Sequence, residues 1–416
     1  MTFLSELTIE HFKSLEAVRV HLGQVNVLIG PNGGGKSNLL EALGVLSAAA
    51  GGRVNDGNLL ARGVRTGLPS LYKSAFRKAQ GEKAQPSHIY LGARSGQHDS
   101  ACLYEVNLNN PLKNPEPDWR YKHEKWAAGT QVLASRSPRS GTSLNPAMGY
   151  AALRAVEQPA ASPALVLLEA LRDYVIYTPT TPVLRGIAPD TQPKHPLGLS
   201  GGRLPEAIQE LLGQAGSRAQ ELQSLSPMQA HARYVVQEAL ELVDWADAYA
   251  SSPASQMALS PAAASSARVV RFRDRFMAEG RNHLSGYDAS EGALYVLFLA
   301  VLAAHSESPR LFAVDNADHG LNPRLLRRLM KHFCGWVLNS PQPRQVLLTT
   351  HNPLVLDGLP LQDDRVRLFT VSRDNRGRTV VNRVKVDQRL NAMAEKGWTL
   401  SRLWVAGYLG GISDDL

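Results

Sequence analysis

A glycine-rich segment near the start of the chain has the residue types and spacing that hold phosphate groups. It reads GPNGGGKS and fits the pattern G-x-x-x-x-G-K-S. Its glycines let backbone N–H groups turn towards an anion, with the positive end of the following helix behind them. Lys36 would then reach the β and γ phosphates of a nucleotide, and the Ser37 hydroxyl would bind Mg²⁺. The predicted nucleotide contacts in this segment are Gly30, Pro31, Asn32, Gly33, Gly34, Gly35, Lys36, Ser37 and Asn38.

Two later apolar segments each end at a polar residue that could complete such a site. LFAV leads to Asp315, and QVLLTT leads to His351, 36 residues further on. Ligands of open α/β sheets bind at the carboxyl ends of strands, so we predict that Asp315 holds Mg²⁺ together with Ser37. His351 could donate a hydrogen bond to the γ phosphate or to an attacking water. An ordinary strand-end aspartate and a surface histidine are the alternatives, and the phosphate loop argues against them.

A strongly apolar helix is predicted to begin at Ser290, Glu291 and Gly292, which lie 25 residues before Asp315. A serine and a glycine at the start of a helix leave N–H groups free to bind an anion. A serine N-cap with an acidic first turn explains the local sequence equally well. The position of the segment, ahead of the predicted metal-binding aspartate, favours the binding role.

The pattern of apolar residues places these candidates on an α/β framework. Alternation from Leu7 to Val20 predicts a hairpin, and Val25–Ile29 reads as a buried strand that leads into a helix from Ser37. Strands predicted in residues 86–125 indicate a β-rich lobe. Strand and helix signals alternate again after residue 310, which is typical of a mostly parallel sheet. We expect the phosphate loop and these later strands to share one sheet.

We divide the chain into three regions. Residues 1–149 and 268–416 are the two parts of one head, and residues 150–267 are a largely α-helical insertion that ends in a Ser/Ala/Pro linker over 250–267. The insertion contains the string LSGG at Leu199–Gly202, which lies 113 residues before Asp315. That is too early for the helix next to the Asp315 strand. We therefore interpret it as a structural turn into a helix, with Arg203 as a potential contact for a partner or nucleic acid.

The composition excludes several classes of protein. The 416 residues carry a formal charge of +8 and are 44% hydrophobic and 20% charged, which is typical of a globular fold. Cys102 and Cys334 are far apart and in no metal-binding spacing, which favours a reducing compartment, the cytoplasm. The amino-terminal residues do not resemble a signal peptide. The apolar run Ala293–Ala304 is too short to cross a bilayer, so we expect no membrane partner.

The motifs together resemble the RecF/SMC-like and OLD-like AAA family ATPases of prokaryotes, in the ABC superfamily. The resemblance covers residues 1–60 and 270–416 and rests on IEHFKSL, GPNGGGKSNLLEAL, DASEGALYVLFLAVLAA, LFAVDNADHGLNPRL, LLTTHNPLVLDGL and LSRLWVAGYLGG. It implies an ABC-type P-loop ATPase head, with ATP and Mg²⁺ as its ligands. Two heads would form a homodimer or higher oligomer around ATP, with Ser290 and Gly292 of one subunit touching the γ phosphate bound by the other. Lys13 would lie near the adenine.

The sequence departs from the family pattern at the position of the catalytic base. Members usually have a glutamate directly after the metal-binding aspartate, whereas this chain has Asn316. An amide can orient water but cannot accept its proton. Asp318 occupies the family's second acidic position and could substitute in part, and Glu291 is a weaker candidate. We therefore expect ATP hydrolysis to be slow or triggered by a partner.

The resemblance implies an ATPase subunit that senses or organises DNA and controls a separately encoded effector, such as a TOPRIM or HNH nuclease, in anti-phage defence. A RecF-like repair ATPase, an ATP-locked scaffold and a transporter subunit are the alternatives. The 65 residues after His351 are enough to finish the head, so we expect no nuclease domain in the chain. DNA could contact two basic stretches, which solvated surfaces explain equally well: Lys73, Arg77, Lys78 and Lys83, and Arg324, Arg327, Arg328 and Lys331.

Overall fold

The computed structural model describes residues 4–77, 86–96, 101–137, 145–216, 224–259 and 266–410. Within these ranges fifteen strands and twelve α-helices follow one another along the chain. The strands are β1 (Glu6–Phe12), β2 (Leu15–His21), β3 (Val25–Ile29), β4 (Ile89–Ser95), β5 (Cys102–Asn109), β6 (Arg120–Ala128), β7 (Gln131–Arg136), β8 (Val175–Tyr177), β9 (Ala246–Pro253), β10 (Arg268–Asp274), β11 (His283–Ser285), β12 (Leu311–Val314), β13 (Gln345–Thr350), β14 (Val366–Arg373) and β15 (Thr379–Val384).

The helices of the described ranges are distributed along the whole chain. They are α1 (Lys36–Ala50), α2 (Asp56–Leu60), α3 (Pro69–Tyr72), α4 (Tyr150–Arg154), α5 (Pro163–Arg172), α6 (Thr181–Leu184), α7 (Leu204–Gln214), α8 (Pro227–Leu242), α9 (Glu291–Ala304), α10 (Pro323–Leu338), α11 (Gln388–Glu395) and α12 (Leu400–Val405). None of them combines the length and apolar character that a membrane crossing requires.

The central sheet has the strand order β15-β14-β3-β13-β12-β8. Neighbouring strands in this sheet are parallel, except that β14 and β15 form an antiparallel hairpin. All five residues of β3 are buried, Asn26 among them, because both faces of a parallel sheet are covered. The prediction that the phosphate loop and the later strands share one sheet is confirmed, since β3 pairs with both β13 and β14.

Two hydrophobic cores lie on opposite faces of this sheet. On one face Val25, Val27 and Ile29 pack with the residues of α7 to α10, and α9 is buried on nearly every side, which explains its uninterrupted apolar sequence. On the other face Leu28 packs with α1, α5 and the amino-terminal strands. Successive side chains of β3 therefore pack into opposite cores, and both cores hold the strand that leads into the phosphate loop.

The predicted β-rich lobe is an antiparallel sheet in the order β2-β1-β4-β5-β6-β7. Helix α1 lies between this sheet and the central sheet, and all but two of its fifteen residues are buried. Because each sheet covers one side of α1, the helix needs apolar residues around most of its circumference. The first turn of α1 is thereby held firmly at the edge of the central sheet.

The middle region differs from the predicted helical insertion in two ways. Its helices α5, α7 and α8 match the predicted periodicity, but β8 pairs with β12 and is the edge strand of the central sheet. The linker prediction is also wrong for Ala250–Pro253, because these residues complete β9 and pair with β10. β8 has only three residues, too few for a periodic signal, and Ser and Ala side chains suit a half-exposed strand as well as a linker. Residues 260–265 lie outside the described ranges.

The LSGG string forms a turn before α7, as we expected. Asp190 Oδ2 accepts hydrogen bonds from the backbone N–H groups of Ser200 and Gly202, both at 2.9 Å. Arg203 then adopts a left-handed conformation with φ of 65° directly before the helix. Its guanidinium Nη2 lies 3.3 Å from Glu210 Oε1. Gly202 therefore packs closely against Asp190 and Gly201 against Leu184, and an added Cβ at either position would clash.

Candidate nucleotide-binding site

The phosphate loop joins the carboxyl end of β3 to the first turn of α1. Gly33 and Gly35 have φ of 76° and 111°, in the left-handed region that glycine adopts readily. Pro31, Asn32 and Gly33 are exposed, whereas Lys36 is buried. The Lys36 ammonium donates hydrogen bonds to the carbonyl oxygens of Gly30 at 2.8 Å and Pro31 at 3.1 Å. It therefore folds back over the loop, where a bound phosphate would lie.

Burial affects the pKa of Lys36. Its pKa is lowered mainly because the ammonium is desolvated, while the nearby carboxylates of Asp315 and Asp318 act in the opposite direction. The two carbonyl contacts replace only part of the lost hydration. A phosphate would supply the missing negative charge, which makes the ammonium a suitable phosphate ligand.

Gly30 is required by packing. A Cβ at this position would lie 1.9 Å from the carbonyl oxygen of Val371 in β14, whereas a Cβ at Gly33 would meet no atom within 4 Å. We expect Gly30→Ala to lower the free energy of unfolding by about 3 kcal/mol, measured by urea denaturation, because β14 must move. Gly33→Asn is the control and should cost less than about 1 kcal/mol, since asparagine tolerates a positive φ. Equal losses in the two variants would contradict this account.

A hydroxyl network fixes the loop from behind. Thr379 Oγ1, at the start of β15, donates to the carbonyl oxygen of Gly34 at 2.9 Å and lies 2.7 Å from Ser14 Oγ. The Asn38 amide donates to the same Ser14 oxygen at 2.8 Å. The loop is therefore held between the turn of the β1–β2 hairpin and the β14–β15 hairpin. Asn38, predicted as a nucleotide contact, has a structural partner here.

The predicted metal ligands, Ser37 in the first turn of α1 and Asp315 directly after β12, lie close together. Ser37 Oγ is 2.9 Å from Asp315 Oδ2 and 3.2 Å from Asp315 Oδ1. Asp315 Oδ1 also accepts a hydrogen bond from Thr349 Oγ1, at the end of β13. In the parallel pairing of β12 and β13, Val314 lies beside Leu348, so the next residues, Asp315 and Thr349, come side by side. Thr349 thus orients the carboxylate that faces Ser37.

The residues after Asp315 form a second polar group. Asn316 has φ of 57°, its N–H donates to Thr349 Oγ1 at 2.9 Å, and its side chain is exposed. Asp318 is buried, and its Oδ2 lies 3.5 Å from His351 Nε2. Its Oδ1 is also buried and has no hydrogen-bond partner among the described residues. The structure therefore brings Asp318 and His351 together, with one carboxylate oxygen still able to accept a proton or a hydrogen bond.

Ser290 is the N-cap of α9, and its hydroxyl accepts the N–H of Ala293 at 3.4 Å. It is exposed, so its side of the helix start is open to another molecule.

The carboxylate of Glu291 is engaged by neighbouring side chains, which does not suit the role of a general base. Its Oε1 accepts a hydrogen bond from Thr181 and lies 3.3 Å from His319 Nδ1. The adjoining Gly292 packs against Leu325, so Gly292 fits a close contact between α9 and α10.

Lys13 has a partner that the sequence did not indicate. Its ammonium pairs with Glu41 in α1 and lies 4.9 Å from the centre of the Tyr72 ring. Glu41 is buried and also accepts from Arg65 Nε at 2.5 Å. The contact of Lys13 with adenine stays a prediction, and in this structure its charge is matched by Glu41.

The arrangement fits a nucleotide with Mg²⁺. Ser37 and Asp315 offer hard oxygen atoms, the ligand type that Mg²⁺ takes alongside phosphate groups. The loop offers backbone N–H groups at the start of α1, and Asp318 leaves a buried oxygen without a partner among the described residues. Sequence reasoning missed Thr349, Thr379 and Ser14. Thr349 had a signal, since it is a polar residue near the end of an otherwise apolar strand, whereas nothing local marks the other two.

Comparisons with known proteins agree with this geometry. A family model described as "AAA domain, putative AbiEii toxin, Type IV TA system" matches residues 25–97 and 245–357. The first segment contains the phosphate loop, and the second contains Asp315 and His351. Among solved structures, the SmcHead bound to the C-winged helix domain of ScpA is similar, with a TM-score of 0.52 and 13% identity over 93% of this chain and 100% of that chain. At this identity the likeness shows the fold.

Two curated relatives carry the name DNA replication and repair protein RecF. The protein from Latilactobacillus sakei subsp. sakei (strain 23K) is 50% identical over 54 residues, 13% of this chain and 14% of that protein. The one from Ligilactobacillus salivarius (strain UCC118) is 34% identical over 98 residues, 21% of this chain and 26% of that protein. The matches thus span only a small part of the relatives' length. Together with the fold, they show that the chain is similar to RecF over these segments and to an SMC head in its architecture.

Proposed function

We propose that the chain is an ATP-binding and ATP-hydrolysing head that dimerises around ATP, senses or organises DNA, and controls a separately encoded effector nuclease in anti-phage defence. The observation that carries the ATP-binding part is the cluster of Ser37, Asp315 and Thr349 beside the Lys36 ammonium. The defence role is supported by the family description, which names a toxin of a Type IV TA system.

In the proposed reaction Lys36 and the loop N–H groups hold the β and γ phosphates, and Ser37 and Asp315 hold Mg²⁺. Mg²⁺ held by these two residues would supply positive charge next to the phosphate oxygens. Asn316 orients the attacking water, and the free Oδ1 of Asp318 accepts its proton. His351, 3.5 Å from the other oxygen of Asp318, would donate a hydrogen bond to the γ phosphate.

A second candidate is an assembly scaffold that ATP locks into a dimer with little hydrolysis. The observation that favours it is Asn316, which has no proton-accepting group where the family places glutamate. Both candidates require ATP-dependent dimerisation, so the dimer is tested first and turnover then separates them.

Ser290 offers a sharp test of dimerisation. The wild type should change from monomer to dimer on addition of ATP and Mg²⁺, as measured by analytical ultracentrifugation. Ser290→Asp keeps a good N-cap but adds a negative charge opposite the partner's γ phosphate, so it should remain monomeric while binding ATP normally. Ser290→Asn caps the helix without that charge and should dimerise like the wild type. A nucleotide-independent dimer, or equal behaviour of the two variants, would contradict the proposal.

A further inference from the structure

A cleft of about 1050 Å³ opens between the two six-stranded sheets, far from the phosphate loop. Its floor is the connection into β3, where the N–H of Gln24 donates to the carbonyl oxygen of Arg365 at 2.7 Å. Arg365 lies just before β14, so the cleft is at the amino ends of β3 and β14. The phosphate loop follows the carboxyl end of β3, which places the two features at opposite edges of one sheet. We call this the basic cleft, and its charged lining residues are Glu6, Arg19, His21, Arg94, Asp364, Arg365, Arg367, Arg383 and Lys385.

Positive charge is in excess in the basic cleft. Its lining includes six arginine or lysine side chains and only two carboxylates. Asp364 is shared by Arg367, at 2.9 Å, and Arg383. Asp363, just outside the lining, pairs with Arg365 at 2.7 Å. Even with that third carboxylate the cations exceed the anions by three, so the cleft attracts a polyanion.

The arginines of the β-rich lobe are available for a ligand. Glu6 Oε1 lies 3.8 Å from Nε of both Arg19 and Arg94, which is beyond hydrogen-bond distance. Their side chains are 65% and 56% exposed. Arg19 is on β2 and Arg94 is on β4, with β1 between them. One carboxylate therefore holds two guanidinium groups near each other without using their donors.

The chemistry of the cleft matches phosphodiester groups better than bases. Guanidinium groups bind phosphate oxygens in pairs, and cations stand on both walls, Arg19 and Arg94 on one and Arg367 and Arg383 on the other. The aromatic residue of the lining, Phe369, is buried and cannot act as a stacking platform. Contacts of this kind carry no sequence information. We propose that the basic cleft binds the sugar-phosphate backbone of duplex DNA.

This inference rests on the proposed function, because it assigns the DNA contact of that ATPase head to a particular surface. The basic cleft is also a different surface from the two basic stretches that the sequence suggested as DNA contacts. The Lys73 ammonium is buried and donates to Asn109 and to the carbonyl oxygen of Asn110, so it is not free for phosphate. Lys78 and Lys83 lie outside the described residues. The exposed cations of α10 remain and serve as the comparison.

Fluorescence polarisation of a labelled DNA duplex with the full chain tests the proposal. Arg19→Gln with Arg94→Gln should weaken binding by about tenfold or more at low salt and should reduce the salt slope by about 2. Arg324→Gln with Arg327→Gln removes the same charge from the exposed face of α10 and should change affinity less than about twofold. Equal losses in the two pairs, or no binding by the wild type, would overturn the basic cleft as the DNA site.

Two further measurements separate the alternatives. A polyglutamate peptide that displaces the duplex at equal charge concentration would overturn the proposal in favour of an acidic protein partner. ATP-dependent dimerisation is measured on the same Arg19/Arg94 variant and should match the wild type, because the cleft is at the opposite edge of the sheet. Loss of DNA binding with intact dimerisation supports the inference. Intact, cleft-dependent DNA binding in a chain that never dimerises would contradict the proposed function and leave the cleft standing.

Discussion

Lys36→Ala is expected to reduce ATP affinity by about 100-fold and ATP turnover by about 100- to 1000-fold. The Lys36 ammonium is buried and has only two carbonyl partners among the described residues, at 2.8 and 3.1 Å. A charged donor in such a place binds phosphate strongly, because little water competes with it. Isothermal titration calorimetry measures the affinity, and phosphate release at saturating ATP measures the turnover.

The matched control is Lys331→Ala, which removes an exposed lysine from α10. It should leave ATP affinity and turnover within about twofold of the wild type, because exposed charges at a distance are screened by salt. Circular dichroism establishes that both variants are folded. If Lys36→Ala bound ATP as tightly as Lys331→Ala, the loop would not be the phosphate site.

The second large effect concerns Asp318, whose replacement by asparagine should lower turnover by about 100-fold. The buried Oδ1 of Asp318 has no partner among the described residues and is the proposed proton acceptor. The amide is nearly the same size and cannot accept that proton. ATP affinity should change little, so single-turnover phosphate release at saturating ATP is the appropriate measurement.

Asn316→Glu should act in the opposite direction and raise turnover by about tenfold or more, because it restores a carboxylate beside Asp315. In Asn316→Gln the new side chain has the same size as the glutamate but cannot accept a proton, so this variant should not raise turnover. Both longer side chains must adopt the φ of 57° that asparagine tolerates well, so both should lose about 1 kcal/mol of stability.

The double variant Asn316→Glu with Asp318→Asn identifies the base. If the introduced glutamate takes over proton transfer, the double variant should turn over ATP faster than Asp318→Asn alone. Wild-type turnover in Asp318→Asn would remove Asp318 from the mechanism. Absence of turnover in the wild type, together with tight ATP-dependent dimerisation, would favour the scaffold.

The sequence predicted the parts of the fold that have strong local patterns. β3, β12 and β13 are short, mostly apolar strands, of which β3 ends at a glycine and the other two at a polar residue, and α10 has an N-cap and a clear apolar face. Their bounds were therefore close to those observed. β8 was missed because three residues carry no period, although pairing with β12 places it in the central sheet. Local pattern thus located the long elements, and only tertiary pairing located the short one.

The candidate site was likewise predicted only in part from the sequence. The types and positions of Lys36, Ser37 and Asp315 follow from motifs, and the structure brings them together. The groups that orient them could not be predicted in this way. Thr379 meets Gly34 across 345 residues of sequence, and Lys13 finds Glu41 across the loop. Such contacts depend on how the two sheets enclose α1, which no local pattern encodes.

The pairing of β3 has a consequence for biosynthesis. β3 pairs only with β13 and β14 among the described strands, and these follow more than 300 residues later. At ordinary translation rates this delay is on the order of tens of seconds. During that time an apolar strand waits with both backbone edges open, a state that invites aggregation or chaperone binding. The phosphate loop thus leaves the ribosome early, but a stalled nascent chain would carry it without the strands that hold it in shape.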